Sequence, residues 1–232
     1  MGIINVTDDS FFGDGILGSK EELVERFLKA REMGLEFLDV GCMSTKPNFK
    51  TLGKLDELNR LDFFLNNMSN EFSYSIDSNT LEVIDKAIGS GFSVINDVFG
   101  FENQEIINKA IESKCGIILA HRHPLSENIH QKMEYQDIVA EVKYQINDQI
   151  SNLIHLGINE SQIAIDPALG FGKKIEDSSR LLVEIEKLVG SFPVIVGYSN
   201  KKFINSPTLS SINLLNHSYN SGVSLVRLHL DK

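Results

Sequence analysis

The sequence predicts an α/β fold of the (β/α)8 TIM-barrel class, formed as a single domain over residues 1–232. Eight short apolar runs recur along the chain, and seven amphipathic or polar segments of helical length separate them. The runs are nearly continuous, which is typical of parallel strands covered on both faces. Because no linker divides the chain and no G-x-G-x-x-G motif follows the first run, a barrel is favoured over an open doubly wound sheet.

Each strand and helix follows from the local pattern of apolar residues. The predicted strands are 2–6, 36–40, 72–77, 92–97, 116–121, 162–166, 193–197 and 223–229. The predicted helices are 19–33, 54–69, 79–90, 103–113, 134–156, 176–189 and 208–220. Gly34, Gly91 and Gly157 each follow a predicted helix, where a left-handed residue is expected. Ser19 and Glu22 have the spacing of a capping box at the first helix.

Composition and charge exclude several classes of function. The formal net charge is −10, which argues against binding a nucleic-acid backbone. No stretch of about 18 apolar residues is present to span a membrane, and the N-terminus lacks the pattern of a signal peptide. Cys42 and Cys115 have no metal-site spacing, so we expect free thiols. The sequence therefore predicts a cytoplasmic protein with small-molecule ligands.

Polar side chains stand at the ends of all eight apolar runs. In chain order they are Asn5, Asp39, Asp77, Asn96 with Asp97, His121, Asp166, Ser199 with Lys201, and Arg227 with His229. In a parallel barrel these ends share one rim, where active sites are built. A single aspartate such as Asp39, Asp97 or Asp166 could instead cap the next helix. Eight polar ends out of eight favour a polar ligand.

Two local patterns suggest what the ligand carries. The loop from Asp166 to Lys173 is rich in glycine, so its backbone could approach a ligand closely. Arg227 and His229 are two residues apart on a strand and share one side, which suits an anion such as diphosphate. His121 and His123 have no third ligand at a zinc-site spacing, so we expect His121 to shape a pocket wall instead.

Seven motifs, in order along almost the whole chain, resemble those of the dihydropteroate synthase family of pterin-binding barrels. They are MGIINVTDDSF from Met1, LDVGCMSTKP from Leu38, SIDS from Ser75, VINDV from Val94, IDPALGFGK from Ile165, VGYSNK from Val196 and VRLH from Val226. The resemblance implies a transferase of folate biosynthesis. It would condense (7,8-dihydropterin-6-yl)methyl diphosphate with 4-aminobenzoate, release diphosphate in an SN1-like reaction, and use Mg²⁺.

The same resemblance implies roles for individual residues. The implied catalytic residues are Lys201, Arg227, His229 and Asp77. Asp77, Asn96, Asp166 and Lys201 would bind the pterin, and Asn5, Arg227 and His229 the diphosphate, with Asn5 near the metal. Phe11, Thr45, Lys46, Pro47 and Ser199 would border the aminobenzoate pocket; Asp39 would support the rim, and Phe171 would also contact substrate.

Several positions depart from the family pattern. Asp8 stands where the family pattern has a proline, and Met43 stands where it has a glutamate. Lys46 and Asn200 both stand at positions where the family pattern has an arginine. The chain ends three residues after His229, so we expect the last helix to be missing and a barrel strand to be left uncovered. Either a homodimer partner covers this strand or the protein is less stable.

Two other functions stay open at this stage. A pterin-binding paralogue without turnover would fit the altered loops. A methyltetrahydrofolate-dependent methyltransferase domain would share the barrel and the pterin pocket, but it would not need Arg227 and His229.

Overall fold

The computed structural model describes residues 1–6, 20–43, 53–198, 202–205, 209 and 213–230. Within them, eight strands alternate with seven α-helices. The strands are β1 (Gly2–Asn5), β2 (Phe37–Gly41), β3 (Ser73–Asp77), β4 (Val94–Asp97), β5 (Gly116–Ala120), β6 (Ile163–Asp166), β7 (Ile195–Gly197) and β8 (Leu225–His229). The helices are α1 (Lys20–Glu32), α2 (Lys54–Leu65), α3 (Leu81–Gly89), α4 (Gln104–Ser113), α5 (Ile138–Leu156), α6 (Ile175–Val183) and α7 (Leu214–Asn220).

The chain divides into two compact units, and the first comprises Met1–Asn96 with Leu228–Lys232. In this unit β1, β2, β3 and β4 pair in parallel, each with the next in sequence. Strand β1 also pairs with the end of β8, where Gly2 lies opposite Leu228. This regular register places residues of successive strands in rows across the sheet.

An aromatic cluster covers one face of the first unit's sheet. Phe64 of α2 makes edge contacts with Tyr74 of β3 and with Phe92, at ring-centroid distances of 5.5 and 6.0 Å. Phe27 of α1 joins the cluster through Phe64 at 6.1 Å. Such pairs add to the stability that burying their area provides. Because side chains alternate along a strand, the cluster at Tyr74 leaves Ser75 and Asp77 on the opposite face.

The second unit comprises Asp97–Arg227. Here β5 pairs with β6 and β7 pairs with β8, all in parallel, and a bridge between Ile165 and Val194 follows the same direction. The longest helix, α5, buries residues at the three- and four-residue spacing that an amphipathic helix requires. It ends at Leu156 and is followed by Gly157, whose φ of 113° makes it the left-handed C-cap that the sequence predicts.

Most sequence expectations about the elements are confirmed, with corrections at some ends. All eight predicted strands are present, with bounds within two residues of the prediction. Gly34 and Gly91 have φ values of 65° and 99°, as expected. Strand β2 continues to Gly41, one residue beyond its predicted end at Val40, so Asp39 lies within the strand and not at its end. Helix α6 ends at Val183, and a separate 3-10 turn, Ile185–Lys187, replaces its predicted last turn.

Three further expectations concern the chain as a whole. Cys42 and Cys115 are both buried free thiols, as predicted. None of the described helices is long and apolar enough to cross a membrane. The capping box at Ser19 lies outside the described residues.

Candidate active site

In the first unit, three polar side chains occupy one row across four neighbouring strands. Asn5, Gly41, Asp77 and Asn96 are register partners of one another in turn along β1, β2, β3 and β4. A Cβ added at Gly41 would lie 3.1 Å from Asn5 Oδ1 and 3.9 Å from Asp77 Cβ. The glycine therefore leaves the space that the amide of Asn5 uses beside Asp77.

A second polar layer lies two residues earlier in the same strands. Asp39 precedes Gly41 and Ser75 precedes Asp77, so their side chains share the face of the polar row. Asp39 is 0% exposed, and its Oδ1 accepts from Ser75 Oγ at 2.5 Å while its Oδ2 accepts from Asn96 Nδ2 at 3.0 Å. The Asp39 carboxylate therefore holds the Asn96 side chain by a hydrogen bond and does not cap a helix.

Helix α2 holds the ends of β2 and β3 through two buried charged residues that the sequence did not single out. Glu57 accepts from Ser78 Oγ and from Thr80 Oγ1, both at 2.6 Å. Arg60 donates from Nη1 to the carbonyl oxygen of Cys42 at 3.1 Å. Both residues are at most 5% exposed. Their spacing of three along a helix was the available signal, but it is equally typical of a solvated face.

In the second unit, Asp166 and Arg227 lie close together and both are buried. Asp166 Oδ2 is 3.8 Å from Arg227 Nη1, and Asp166 Oδ1 accepts from the amide of Ala168 at 2.7 Å. Arg227 has a glycine, Gly197, as its register partner in β7, and a Cβ there would lie 3.6 Å from Arg227 Cβ. The carboxylate of Asp166 at the end of β6 and the guanidinium of Arg227 in β8 therefore lie close together, and Gly197 at the end of β7 adds no side chain beside Arg227.

The glycine loop after β6 is organised from within. Ala168 has φ of 51°, and Gly170 and Gly172 have φ of 84° and 61°, so the loop turns through left-handed conformations. Lys173, only 4% exposed, donates from Nζ to the carbonyl oxygens of Ala168 and Phe171, each at 3.1 Å. The cation that ends the motif therefore stabilises the loop's own carbonyls.

Asp97 is held by backbone amides at the start of the second unit. Its two oxygens accept from the amides of Phe99 at 2.8 Å and Phe101 at 2.9 Å. Burial raises the pKa of this carboxyl to about 6, although both amide bonds act in the opposite direction. Asp97 therefore shapes a turn and does not cap α4, whose N-cap is Asn103.

His121 follows β5 and lines a small cavity, as the sequence predicts for a pocket wall. The cavity is also lined by Val98, Arg122, His123 and Phe171. Nε2 of His121 lies 2.7 Å from Gln145 Oε1, and burial lowers the pKa of the imidazole well below its usual value. A neutral ring suits a wall of the pocket. Among the described residues, no group of three or more His, Cys, Asp or Glu side chains could hold a metal ion.

The structure describes about half of the predicted site residues. Asn5, Asp39, Asp77, Asn96 and His229 lie in the first unit, and Asp166, Phe171 and Arg227 in the second. Phe11, Thr45, Lys46, Pro47, Ser199 and Lys201 lie outside the described residues. The structure brings Asn5, Asp77 and Asn96 into one row and Asp166 beside Arg227.

Comparison with known proteins gives consistent matches along the chain. A family model described as pterin binding enzyme matches residues 1–229. A dihydropteroate synthase of Synechocystis sp. is 32% identical over 88% of this chain and 72% of the relative, and one of Bacillus subtilis is 29% identical over 88% and 70%. A solved dihydropteroate synthase of Xanthomonas albilineans with 4-aminobenzoic acid matches with a TM-score of 0.85 and 28% identity over 98% of this chain and 85% of that chain.

A second solved structure of the Xanthomonas albilineans enzyme, in complex with 7,8-dihydropteroate, matches with a TM-score of 0.81 and 26% identity over 98% of this chain and 86% of that chain. Together with the alternation of eight parallel strands and their helices, these likenesses confirm the predicted (β/α)8 fold class.

Proposed function

Because the chain belongs to the family of pterin-binding enzymes, we propose that it is a dihydropteroate synthase, a transferase of folate biosynthesis. It joins (7,8-dihydropterin-6-yl)methyl diphosphate to 4-aminobenzoate and yields 7,8-dihydropteroate and diphosphate. The observation that carries the proposal is the set of polar groups at strand ends. Asn5, Asp77 and Asn96 share one row, and Asp166 lies 3.8 Å from Arg227, all at positions of the family motifs.

The acids and amides are suited to a pterin ring. A carboxylate can accept two parallel hydrogen bonds from the ring N3–H and the 2-amino group, as it does from a guanidinium. Asp166 has this role in the proposal, and Asp77 and Asn96 bind further ring positions. Lys201 binds the acceptor edge of the ring. The buried state of Asn96 and Asp166, 1% and 5% exposed, supports recognition by hydrogen bonds without competition from water.

The cations are suited to the leaving group. Arg227 offers a planar set of donors that matches phosphate oxygens, and His229 stands two residues further along β8. The C–O bond to diphosphate breaks with SN1-like character, and the ring stabilises the resulting cation until the arylamine attacks. Such a reaction asks the protein to position the substrates and to stabilise the departing anion, so no covalent nucleophile is required.

Mg²⁺ fits this donor set as a partner of the diphosphate. Magnesium prefers oxygen ligands and is commonly held by few protein groups together with substrate phosphates. The amide oxygen Oδ1 of Asn5, which approaches the open backbone at Gly41, is the protein ligand in this proposal. When bound, the ion would neutralise charge on the leaving diphosphate. Phe11, Thr45, Lys46, Pro47, Ser199 and Phe171 complete the proposal as borders of the aminobenzoate and pterin sites.

A turnover assay tests the function. The purified chain is incubated with the pterin diphosphate, 4-aminobenzoate and Mg²⁺, and diphosphate release and dihydropteroate formation are followed. We expect release that depends on aminobenzoate and on Mg²⁺. Binding of the pterin without release would favour a non-catalytic paralogue and overturn the proposal. Sedimentation of the same preparation tests the homodimer that we also propose.

Replacing Arg227 tests the anion site. We expect Arg227→Ala to weaken binding of the diphosphate ester by about 100-fold, because a charge-assisted double hydrogen bond is lost, and to weaken binding of the bare pterin alcohol by less than about fivefold. Calorimetry with both ligands gives the two affinities. Arg180→Ala, on the exposed face of α6, is the matched control and should leave both unchanged. Equal losses for the two ligands would remove Arg227 from the anion site.

A further inference from the structure

The hydrogen bonds around Asn96 determine which atom of its amide is available to a ligand. Asp39 Oδ2 accepts from Asn96 Nδ2 at 3.0 Å, and Asp39 Oδ1 already accepts from Ser75 Oγ at 2.5 Å. A carboxylate has only acceptor atoms, so the amide can present only its NH2 group to Asp39. The orientation of the Asn96 amide is therefore set by Asp39, and the oxygen is the atom left for other partners.

That oxygen lacks a donor within the described part of the chain. Asn96 Oδ1 is buried and has no hydrogen-bond partner among the described residues, and Asn96 as a whole is 1% exposed. A buried acceptor without a donor destabilises the protein, so such a group in a native structure calls for an explanation, and a donor from a bound ligand is one. Asn96 also belongs to the row with Asn5 and Asp77 at the strand ends. A donor supplied by the ligand would complete the arrangement.

The proposed substrate, on which this inference rests, has one ring N–H that identifies its oxidation state. A 7,8-dihydropterin carries donors at N3, at the 2-amino group and at N8, and the first two form the pair that a carboxylate binds. In a fully oxidised pterin, N8 has no hydrogen and offers a lone pair. An amide oxygen facing N8 would attract the reduced ring and repel the oxidised one.

We propose that Asn96 Oδ1 accepts a hydrogen bond from N8–H of the dihydropterin, and that Asp39 is the positioning residue that makes this contact selective for the reduced ring. Asp39 does not touch the substrate. It acts by preventing the Asn96 amide from turning over and presenting NH2, which would suit the oxidised ring instead.

The test compares affinities for two ligands, 6-hydroxymethyl-7,8-dihydropterin and its fully oxidised form, by calorimetry without oxygen. We expect the wild-type chain to prefer the reduced form by at least about tenfold, the usual effect of one buried hydrogen bond replaced by a repulsion. Asp39→Asn should reduce that preference about tenfold, because the new amide can donate to Asn96 Oδ1 and let the Asn96 amide turn over. An unchanged preference in Asp39→Asn would overturn the proposal.

Two further variants separate positioning from simple stability. The double variant Asp39→Asn/Asn96→Asp exchanges the amide and the carboxylate, so that one carboxylate oxygen accepts from the amide below and the other faces N8. It should regain the preference for the reduced ring, and it decides the question if the single variant does not fold. Failure of a folded double variant to regain it would also overturn the proposal.

Ser75→Ala is the matched control, because it removes the other hydrogen bond to Asp39 and leaves the Asn96 contact intact. It should lower the free energy of unfolding and keep the ratio of the two affinities, whereas a changed ratio would argue against the role given to Asp39. If the wild-type chain binds neither ligand, the proposed function fails. If it binds both equally well, only the role of Asn96 and Asp39 fails.

Discussion

The two compact units hold their buried carboxylates in different ways. In the first unit, Asp39 and Glu57 accept hydrogen bonds from side chains, namely hydroxyl groups and one amide. In the second unit, Asp97 and Asp166 accept from main-chain amides two to four residues further along the chain. The first arrangement joins residues that are distant in sequence, and the second shapes a local turn.

This difference in hydrogen-bond donors indicates what each buried carboxylate contributes to stability. A carboxylate held by side chains of other elements connects strands and helices, so its loss should destabilise the tertiary structure. A carboxylate held by nearby amides stabilises a turn whose donors are always present, because every residue except proline carries an N–H. We therefore expect large stability effects in the first unit, and effects on protonation and ligand binding in the second.

The largest expected effect is the loss of Glu57. Glu57→Ala should lower the free energy of unfolding by about 4 kcal/mol, because two hydrogen bonds of a buried carboxyl group disappear and the hydroxyls of the buried Ser78 and the half-buried Thr80 both lose their acceptor. Urea unfolding followed by circular dichroism measures the change. Glu105→Ala, at an exposed position of α4, is the control and should change stability by less than about 0.5 kcal/mol. Similar losses in the two variants would contradict the comparison.

The next effect is a pH dependence that comes from Asp97. Its pKa is raised from 3.8 to about 6 in the folded chain, so the folded state holds a proton that the unfolded state has released. The corresponding stability is present below about pH 4 and is lost as the pH rises through about 6, by up to about 3 kcal/mol. Urea unfolding at pH 4 and at pH 6.5 measures it.

Asp97→Asn removes the titrating group and is the reference for that experiment. The difference between the wild-type and variant unfolding free energies should shrink as the pH rises across this window. If the unfolding free energies of the two proteins change with pH in parallel, the pKa of Asp97 is not raised, because the hydrogen bonds from the amides of Phe99 and Phe101 offset the effect of burial.

The smallest effect on stability is expected at Asp166. Asp166→Asn keeps an oxygen that can accept from the Ala168 amide, but it removes the negative charge 3.8 Å from the buried Arg227, so we expect the free energy of unfolding to fall by about 2 kcal/mol. The affinity for a pterin should nevertheless fall at least about tenfold, because an amide cannot accept two parallel hydrogen bonds from N3–H and the 2-amino group. Urea unfolding measures the loss of stability, and calorimetry on the same preparation measures the loss of affinity for the pterin. A stability loss as large as that of Glu57→Ala, or an unchanged affinity, would break the contrast between the units.

Much of the fold could be predicted from local pattern. Strands and helices follow from the spacing of apolar residues, and the helix ends at Gly34 and Gly157 follow from the need for a left-handed residue. The polar ends of the strands indicated which residues to consider, and the order of the motifs indicated the family. For these features, the responsible residues are neighbours in sequence.

The sequence by itself determined the elements, the family and the chemical types of the site residues. Only the tertiary structure decided that Asp39 lies one layer below Asn96, that Glu57 is buried against Ser78, and that Lys173 turns into its own loop. The physical reason is that burial and hydrogen-bond partners depend on which strands and helices become neighbours. A charged residue on a helix or in a loop has the same local pattern whether it faces water or a buried hydroxyl.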